Sequence, residues 1–432
     1  MNLYLQHISK LETRNSKLEI KITGSKSETN RLLLLQALYP NLQLENTSVS
    51  DDSEVMMQAL QVNLQLETLN SEPIDIHHAG TAMRFLTAYF AIKQGSEIVL
   101  TGSSRMKERP IKILVDALKQ IGADIEYVEN NGFPPLKIIG KKLTQIKVSL
   151  PANVSSQYIS ALLLIAPKLE NGLELTLTGE ITSMPYIQMT LALLTQIGVA
   201  TSFEGNIISV LPKPKTDKLQ PIIIESDWSS ASYFYSIVAL SEIGTEIKLS
   251  SFKPNSLQGD AVLVDIYKEL GVQTVFNADN SILIKKIKIQ TPESIICNLQ
   301  SSPDIAQTIA VTCFGLEIDC QLTGLHTLKI KETDRLEALK TELSNLGANI
   351  SVTNDCLTLA KTSPPLEGCP KGGVVDHEVK CIATYQDHRM ALAFAPLALK
   401  SDLIIQDADV VTKSYPNFWK DLESIGFKIE QC

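Results

Sequence analysis

Cysteine is missing from the first 296 residues of this 432-residue chain, and the seven that follow (Cys297, Cys313, Cys320, Cys356, Cys369, Cys381, Cys432) form neither a Cys-x-x-Cys pair nor a zinc-like cluster with histidine. That sets aside a disulfide-stapled scaffold and a zinc module, and leaves reduced thiols, several of them expected to be buried. Long apolar runs are also missing. The longest, such as ALLLIAP at 161–167, fall far short of the roughly 20 residues a membrane helix needs, and the start MNLYLQHISKLETRNSKLEI has no continuous apolar leader core. Nor is there an excess of positive charge. A net charge of −9 gives no long-range attraction for phosphodiester backbones or anionic lipid, so nucleic-acid and membrane-surface roles are disfavoured and any anionic ligand must meet a local basic patch. A cytoplasmic protein is the expectation.

What is present is an ordinary globular composition, 44% hydrophobic and 20% charged. The length exceeds the roughly 250–300 residues at which one core stops growing, which predicts two domains. A module recurs along the chain: an amphipathic helical stretch, a hydrophobic-Gly-hydrophobic stop, then a strand-like run. The stops are QIGA (120–123), QIGV (196–199), ELGV (269–272), NLGA (345–348) and SIGF (424–427), with a weaker copy at 53–66 that lacks the glycine. Glycine there suits a left-handed helix cap. Short alternating stretches such as LEIKI (18–22), ISVLP (208–212) and SILIKKIKI (281–289) read as strands, so the class is mixed α/β. Six modules divide into three per domain, with a boundary where LPKPKTDKLQ (211–220) gives way to IIIESDWSSASYF.

Basic residues sit where helices are expected to begin, a place the helix dipole disfavours for cations unless an anion is held there. Lys26, Ser27 and Arg31 surround one such start, and Gly80, Thr81 and Arg84 open another. Lys107 and Arg109 precede Pro110, which fits the first turn of IKILVDALKQIG. Ser155, Ser156 and Gln157 begin YISALLLIAP; Lys331-Glu332-Thr333-Asp334-Arg335 precedes LEALKTELSNLG; Asp387-His388-Arg389 precedes MALAFAPLAL; Lys413 lies just before Pro416. Taken singly, each is a solvated charge or a capping neighbour, and Asp304, after Pro303, is a plain N-cap. Their repetition argues instead for a strongly electropositive cleft suited to small, multiply charged anions.

The segments GSKSETNR (24–31), AGTAMR (79–84), LTGSSRMKERPIKILVDAL (100–118), SSQYISALL (155–163), SDWSSASYF (226–234), PDIAQTIA (303–310), KETDR (331–335) and YQDHRMA (385–391), in that order, resemble the 5-enolpyruvylshikimate-3-phosphate (EPSP) synthase family across nearly the whole chain. The resemblance implies two similar domains, each of three βαβαββ units with helices inside and sheets outside, one spanning 24–226 and the other 1–23 plus 227–432, with the active site in the cleft between them. It implies transfer of the enolpyruvyl group of phosphoenolpyruvate to the 5-hydroxyl of shikimate 3-phosphate, a step of the shikimate pathway toward chorismate and aromatic amino acids. No metal or organic cofactor is implied, and a monomer is suggested.

Carried onto matching positions, the resemblance assigns shikimate 3-phosphate to Lys26, Ser27, Arg31, Ser155, Ser156, Gln157, Ser183, Asp304 and Lys331. It assigns phosphoenolpyruvate to Lys26, Gly80, Arg109, Gln157, Arg335, Arg389 and Lys413, where the arginine fork matches phosphate and carboxylate. Asp304 is the implied general base, Glu332 the proton donor to the methylene carbon, and Lys26 a third catalytic group. Glyphosate is a ligand of the phosphoenolpyruvate pocket in this family. Four positions depart from the family pattern: Phe85 stands where proline is usual, His78 and Thr327 where asparagine is common, and Thr29 where serine is common. UDP-N-acetylglucosamine enolpyruvyl transferase shares the fold, but its mobile loop carries a cysteine where this chain reads LTGSSRMKERP. An inactive anion-binding protein of the same fold would be expected to lose an acid or a cation from the set, and none is missing.

Overall fold

In a computed structural model, residues 1–11, 18–62, 72–153, 155–181, 184–213, 219–290, 292–360 and 379–432 are described. One module shows the plan. Strands Ile74–Asp75 and Glu97–Thr101 lie parallel, joined through helix Gly80–Ile92. Helix Lys112–Gln120 then leads to the hairpin Asp124–Tyr127 and Leu136–Ile139, whose second strand pairs antiparallel with Glu97–Thr101. The strand pattern sets the orientation: Ile98, Leu100, Leu136 and Ile138 are buried while Glu97 faces water, so the sheet covers its helices on one side only.

The same wiring recurs. The described residues hold five four-stranded sheets and one two-stranded pairing, Leu44–Glu45 with Ile222–Ile223. Two compact units result, Thr23–Glu225 and Met1–Ile22 with Ser226–Cys432. The amino-terminal segment completes sheets of the second unit: Leu3–Gln6 lies between Leu403–Ile405 and Lys428–Gln431, and Glu19–Ile20 runs parallel to Glu246–Leu249.

Each unit is centred on helices that are apolar nearly all round, which is the signature of a helix with no solvent face. Gly80–Ile92 packs on Ser156–Ile165 in one unit, and Trp228–Leu240 on Ala306–Leu316 in the other. Hydroxyls within the second pair are internally satisfied: Thr312 Oγ1 donates to Ser236 Oγ at 2.7 Å, and Tyr267 Oη lies 2.8 Å from Thr312 Oγ1.

The five glycine stops all adopt left-handed backbone, Gly122, Gly198, Gly271, Gly347 and Gly426 having φ between 82° and 106°. In four of them the following amide bonds the carbonyl five residues back, as Ala348 N–H does to Leu343 at 2.9 Å, which is the Schellman closure. The weaker copy at 53–66 coincides with helix Asp51–Val62 as far as the described residues reach. Pro110 departs from expectation. It precedes helix Lys112–Gln120 by two residues, because Ile111 is held out of the helix (φ −135°) by its N–H bond to Gly132 O at 2.9 Å.

No atom lies within 4 Å of a Cβ built on Gly347, so alanine there meets only the backbone penalty of a left-handed residue. Gly347→Ala is expected to lower unfolding stability by about 1 kcal/mol in urea titration, with asparagine recovering part of it. An unchanged midpoint would contradict the capping role.

Candidate active site in two clusters

In the unit formed by Met1–Ile22 and Ser226–Cys432, three helix starts bring charge together. Arg335 is the first residue of helix Arg335–Asn345, behind an Asp334 cap that accepts from Leu336 N and Glu337 N. Arg389 is the second residue of His388–Phe394, whose cap, Asp387, accepts its N–H at 2.9 Å. Asp304 lies in the single 3-10 turn Pro303–Ile305 that leads into Ala306–Leu316.

Asp304 is not an N-cap. Its Oδ1 meets Arg335 Nη1 at 2.9 Å and Lys331 Nζ at 3.4 Å, its Oδ2 meets Arg389 Nη2 at 3.4 Å, and its backbone carbonyl accepts from Arg389 Nη1 at 2.9 Å. Arg335, only 1% exposed, spends its remaining donors on acids: Nε on Asp387 at 2.6 Å and Nη2 on Glu332 at 2.8 Å. Burial alone would lower its pKa; Asp387, then Glu332 and Asp304, more than offset this and raise it well above the ordinary value. Arg389 is raised likewise, burial opposing and Asp304 leading the groups that favour its charge. The expectation of strong positive charge therefore needs correction here, since the buried cations are matched by carboxylates.

Sequence reasoning missed Asp260. It is buried in the turn Gly259–Val262 and accepts from Ser229 Oγ, which also receives Arg389 Nη2 at 3.4 Å. Burial first, then the nearby Asp304, push its carboxyl up to about 6. No local pattern marks it, because Ser229 is 31 residues distant. Lys413 closes the 3-10 helix Ala408–Lys413 and donates to the Gln386 carbonyl at 2.8 Å.

The unit Thr23–Glu225 carries the second cluster, and its charge is handled differently. Ser25 caps helix Lys26–Leu38, on which Arg31 is 2% exposed. Among the described residues the Arg31 guanidinium donates to neutral acceptors, Thr190 Oγ1 (2.8 Å), Ser27 O (2.7 Å), Ser160 Oγ (3.0 Å) and Tyr186 O (3.4 Å), while the buried Glu28 carboxylate on the same helix favours its charge from nearby. Its carbon also stands over the rings of Phe85 (5.5 Å) and Tyr186 (5.8 Å). Phe85, in the usual place of proline, thus gives Arg31 an aromatic floor. Burial lowers Arg31 to about 10, leaving it charged at neutral pH.

Arg84, 4% exposed and named above without a role, is lowered to about 10 by burial and by the neighbouring Arg109. It donates to Gly80 O and Pro110 O, both at 3.1 Å. A Cβ on Gly80 would come within 2.5 Å of Arg109 Nη1, so only glycine lets that guanidinium lie on the helix start. Ser155 caps Ser156–Ile165 by accepting from Gln157 N, and Gln157 Nε2 reaches Thr81 Oγ1 at 3.2 Å, joining two helix starts. Lys26 pairs with Asp52 at 3.3 Å, with His78 Nε2 3.9 Å from the same carboxylate. Ser183 lies outside the described residues. Among those described, no group of three or more His, Cys, Asp or Glu could hold a metal ion, and no helix is long and apolar enough to cross a membrane.

The same fold occurs in an EPSP synthase from Acinetobacter baumannii, with a TM-score of 0.74 at 20% identity over 100% of both chains. It also occurs in the enolpyruvyl transferase NikO from Streptomyces tendae, with a TM-score of 0.71 at 13% identity over 99% and 98%. The architecture is that of the enolpyruvyl transferases. The family model for EPSP synthase (3-phosphoshikimate 1-carboxyvinyltransferase) matches residues 12–422. A 3-phosphoshikimate 1-carboxyvinyltransferase of Bacteroides fragilis strain YCH46 is 45% identical over 96% of each chain, and one of Haemophilus ducreyi is 35% identical over 95% and 96%. The chain belongs to the EPSP synthase family.

Asp260 supplies a test of the electrostatics. Its folded pKa, about 6, lies above the ordinary 3.8, so its contribution to stability is complete below about pH 4 and is lost as pH rises through about 6. Asp260→Asn, neutral throughout, is expected to gain on the parent by on the order of 1–3 kcal/mol between pH 4 and 7, read from urea midpoints. A difference independent of pH would contradict the assignment.

Proposed function

We propose that the two clusters together carry out the reaction of the family: transfer of the enolpyruvyl group of phosphoenolpyruvate to the 5-hydroxyl of shikimate 3-phosphate, with release of phosphate. The observation that carries this reading is the Asp304 carboxylate held by Lys331, Arg335 and Arg389, in a chain 45% identical to a 3-phosphoshikimate 1-carboxyvinyltransferase over 96% of its length.

Arg31, with Lys26, Ser27, Ser155, Ser156, Gln157 and Ser183, holds shikimate 3-phosphate. A buried guanidinium hydrogen-bonded to neutral acceptors gains from a dianionic phosphate. Lys26, Gly80, Arg109, Gln157, Arg335, Arg389 and Lys413 receive phosphoenolpyruvate. Asp304, next to Lys331, accepts the proton of the 5-hydroxyl as that oxygen attacks C2, and Glu332 delivers a proton to C3. The resulting tetrahedral intermediate re-forms the enol double bond by losing the C3 proton and expelling phosphate. The cations oppose the growing negative charge, which is electrostatic stabilisation by groups already in place. Addition and elimination of this kind use neither a metal nor an organic cofactor. A cytoplasmic monomer with small-molecule substrates, acting on neither nucleic acid nor membrane, is part of the same proposal.

Phosphate release from phosphoenolpyruvate is expected with shikimate 3-phosphate and not with UDP-N-acetylglucosamine; turnover with the sugar nucleotide alone would overturn the substrate assignment. Asp304→Asn, which preserves shape, is expected to lower kcat by about a hundredfold or more while calorimetric affinity for shikimate 3-phosphate changes only a few-fold. Near-parental turnover would remove Asp304 as the base.

A further inference from the structure

Immediately ahead of the Asp387 cap, two consecutive non-glycine residues occupy left-handed backbone, Tyr385 with φ 54° and Gln386 with φ 55°. The Asp387 N–H closes on Thr384 O at 2.8 Å, so residues 384–387 form a tight turn with positive φ at both central positions, the pattern that favours Asn and Gly. Tyrosine and glutamine have no intrinsic preference for it, and such a turn persists only where its surroundings hold it.

Those surroundings are specific. Glu342, 3% exposed, sits two helical turns beyond Arg335 on Arg335–Asn345. Its Oε1 accepts from Tyr385 Oη at 2.6 Å and its Oε2 from Ala383 N at 3.3 Å. Among the described residues this carboxylate accepts hydrogen bonds only from that loop. Burial and then the Glu342 bond push the Tyr385 hydroxyl up to about 12, so it keeps its proton and donates. From another side, Lys413 Nζ grips the Gln386 carbonyl at 2.8 Å. The turn therefore links the helix of Arg335, the cap of Arg389 and Lys413.

We infer that Glu342 and Tyr385 are positioning residues, bracing the strained 384–387 turn so that Arg389 and Lys413 are presented to phosphoenolpyruvate. The inference rests on the proposed role of Arg389 and Lys413 in binding that substrate. Glu342 and Tyr385 act through the turn and need not touch either substrate. A carboxylate suits this task because its two oxygens hold two donors of one loop with charge-assisted bonds.

The test is steady-state kinetics with each substrate varied in turn, together with melting temperatures, for Tyr385→Phe, Glu342→Gln and, as a benchmark, Arg389→Lys. Tyr385→Phe is expected to raise the KM for phosphoenolpyruvate by about tenfold, with the KM for shikimate 3-phosphate within about twofold of the parent. Glu342→Gln, which still offers one oxygen to the Tyr385 hydroxyl, is expected to show a smaller rise. If Arg389→Lys raises the KM for phosphoenolpyruvate while both brace variants lower only the melting temperature, the brace is structural and the inference fails. If Arg389→Lys itself leaves that KM unchanged, the substrate reading beneath the inference fails.

Discussion

A guanidinium taken out of water must recover acceptors and, in a medium of low dielectric, an opposing charge. This requirement governs the protein's chemistry. Two buried arginines meet it in opposite ways. Arg335 is saturated by Asp304, Glu332 and Asp387 and holds its proton more firmly than an arginine in water. Arg31 hydrogen-bonds to hydroxyls and carbonyls and faces aromatic rings, and burial lowers its pKa despite the nearby Glu28. The first arrangement orders the acid groups around one guanidinium; the second is the one proposed above to take the substrate phosphate.

The repeated module explains how such groups arise so often in one chain. Four of the parallel strand pairs are joined through a buried helix, and the starts of such helices carry backbone amides and short polar side chains such as Ser155 and Asp387. Because the helix bodies are apolar on every face, their packing fixes these starts firmly. Gly80 takes this furthest, since the missing side chain is the space occupied by Arg109.

Much of this was legible in the sequence because the signals are local. Glycine after each amphipathic helix requires left-handed backbone, and all five such residues adopt it. The helix starts expected at Lys26, Ser155 and Asp387 are found there, with Ser25, Ser155 and Asp387 as the caps. What escaped is long-range. Asp260 belongs to the Asp304 group through Ser229 and Arg389, partners far away in the chain. The charge balance around Arg335 likewise depends on Asp387, which lies 52 residues on and read locally only as part of a helix start. Pro110 misled because proline favours a first turn, yet the bond from Ile111 to Gly132 O delays the helix. The contact of Phe85 is equally long-range, its ring lying 5.5 Å from the Arg31 guanidinium carbon.

The central proposal is that Arg31, whose hydrogen bonds among the described residues go to neutral acceptors, takes the phosphate of the substrate. Calorimetric titration of shikimate 3-phosphate into the parent and into Arg31→Met tests it most directly. The account predicts affinity lower by roughly a hundredfold in the variant. Unchanged affinity would contradict it.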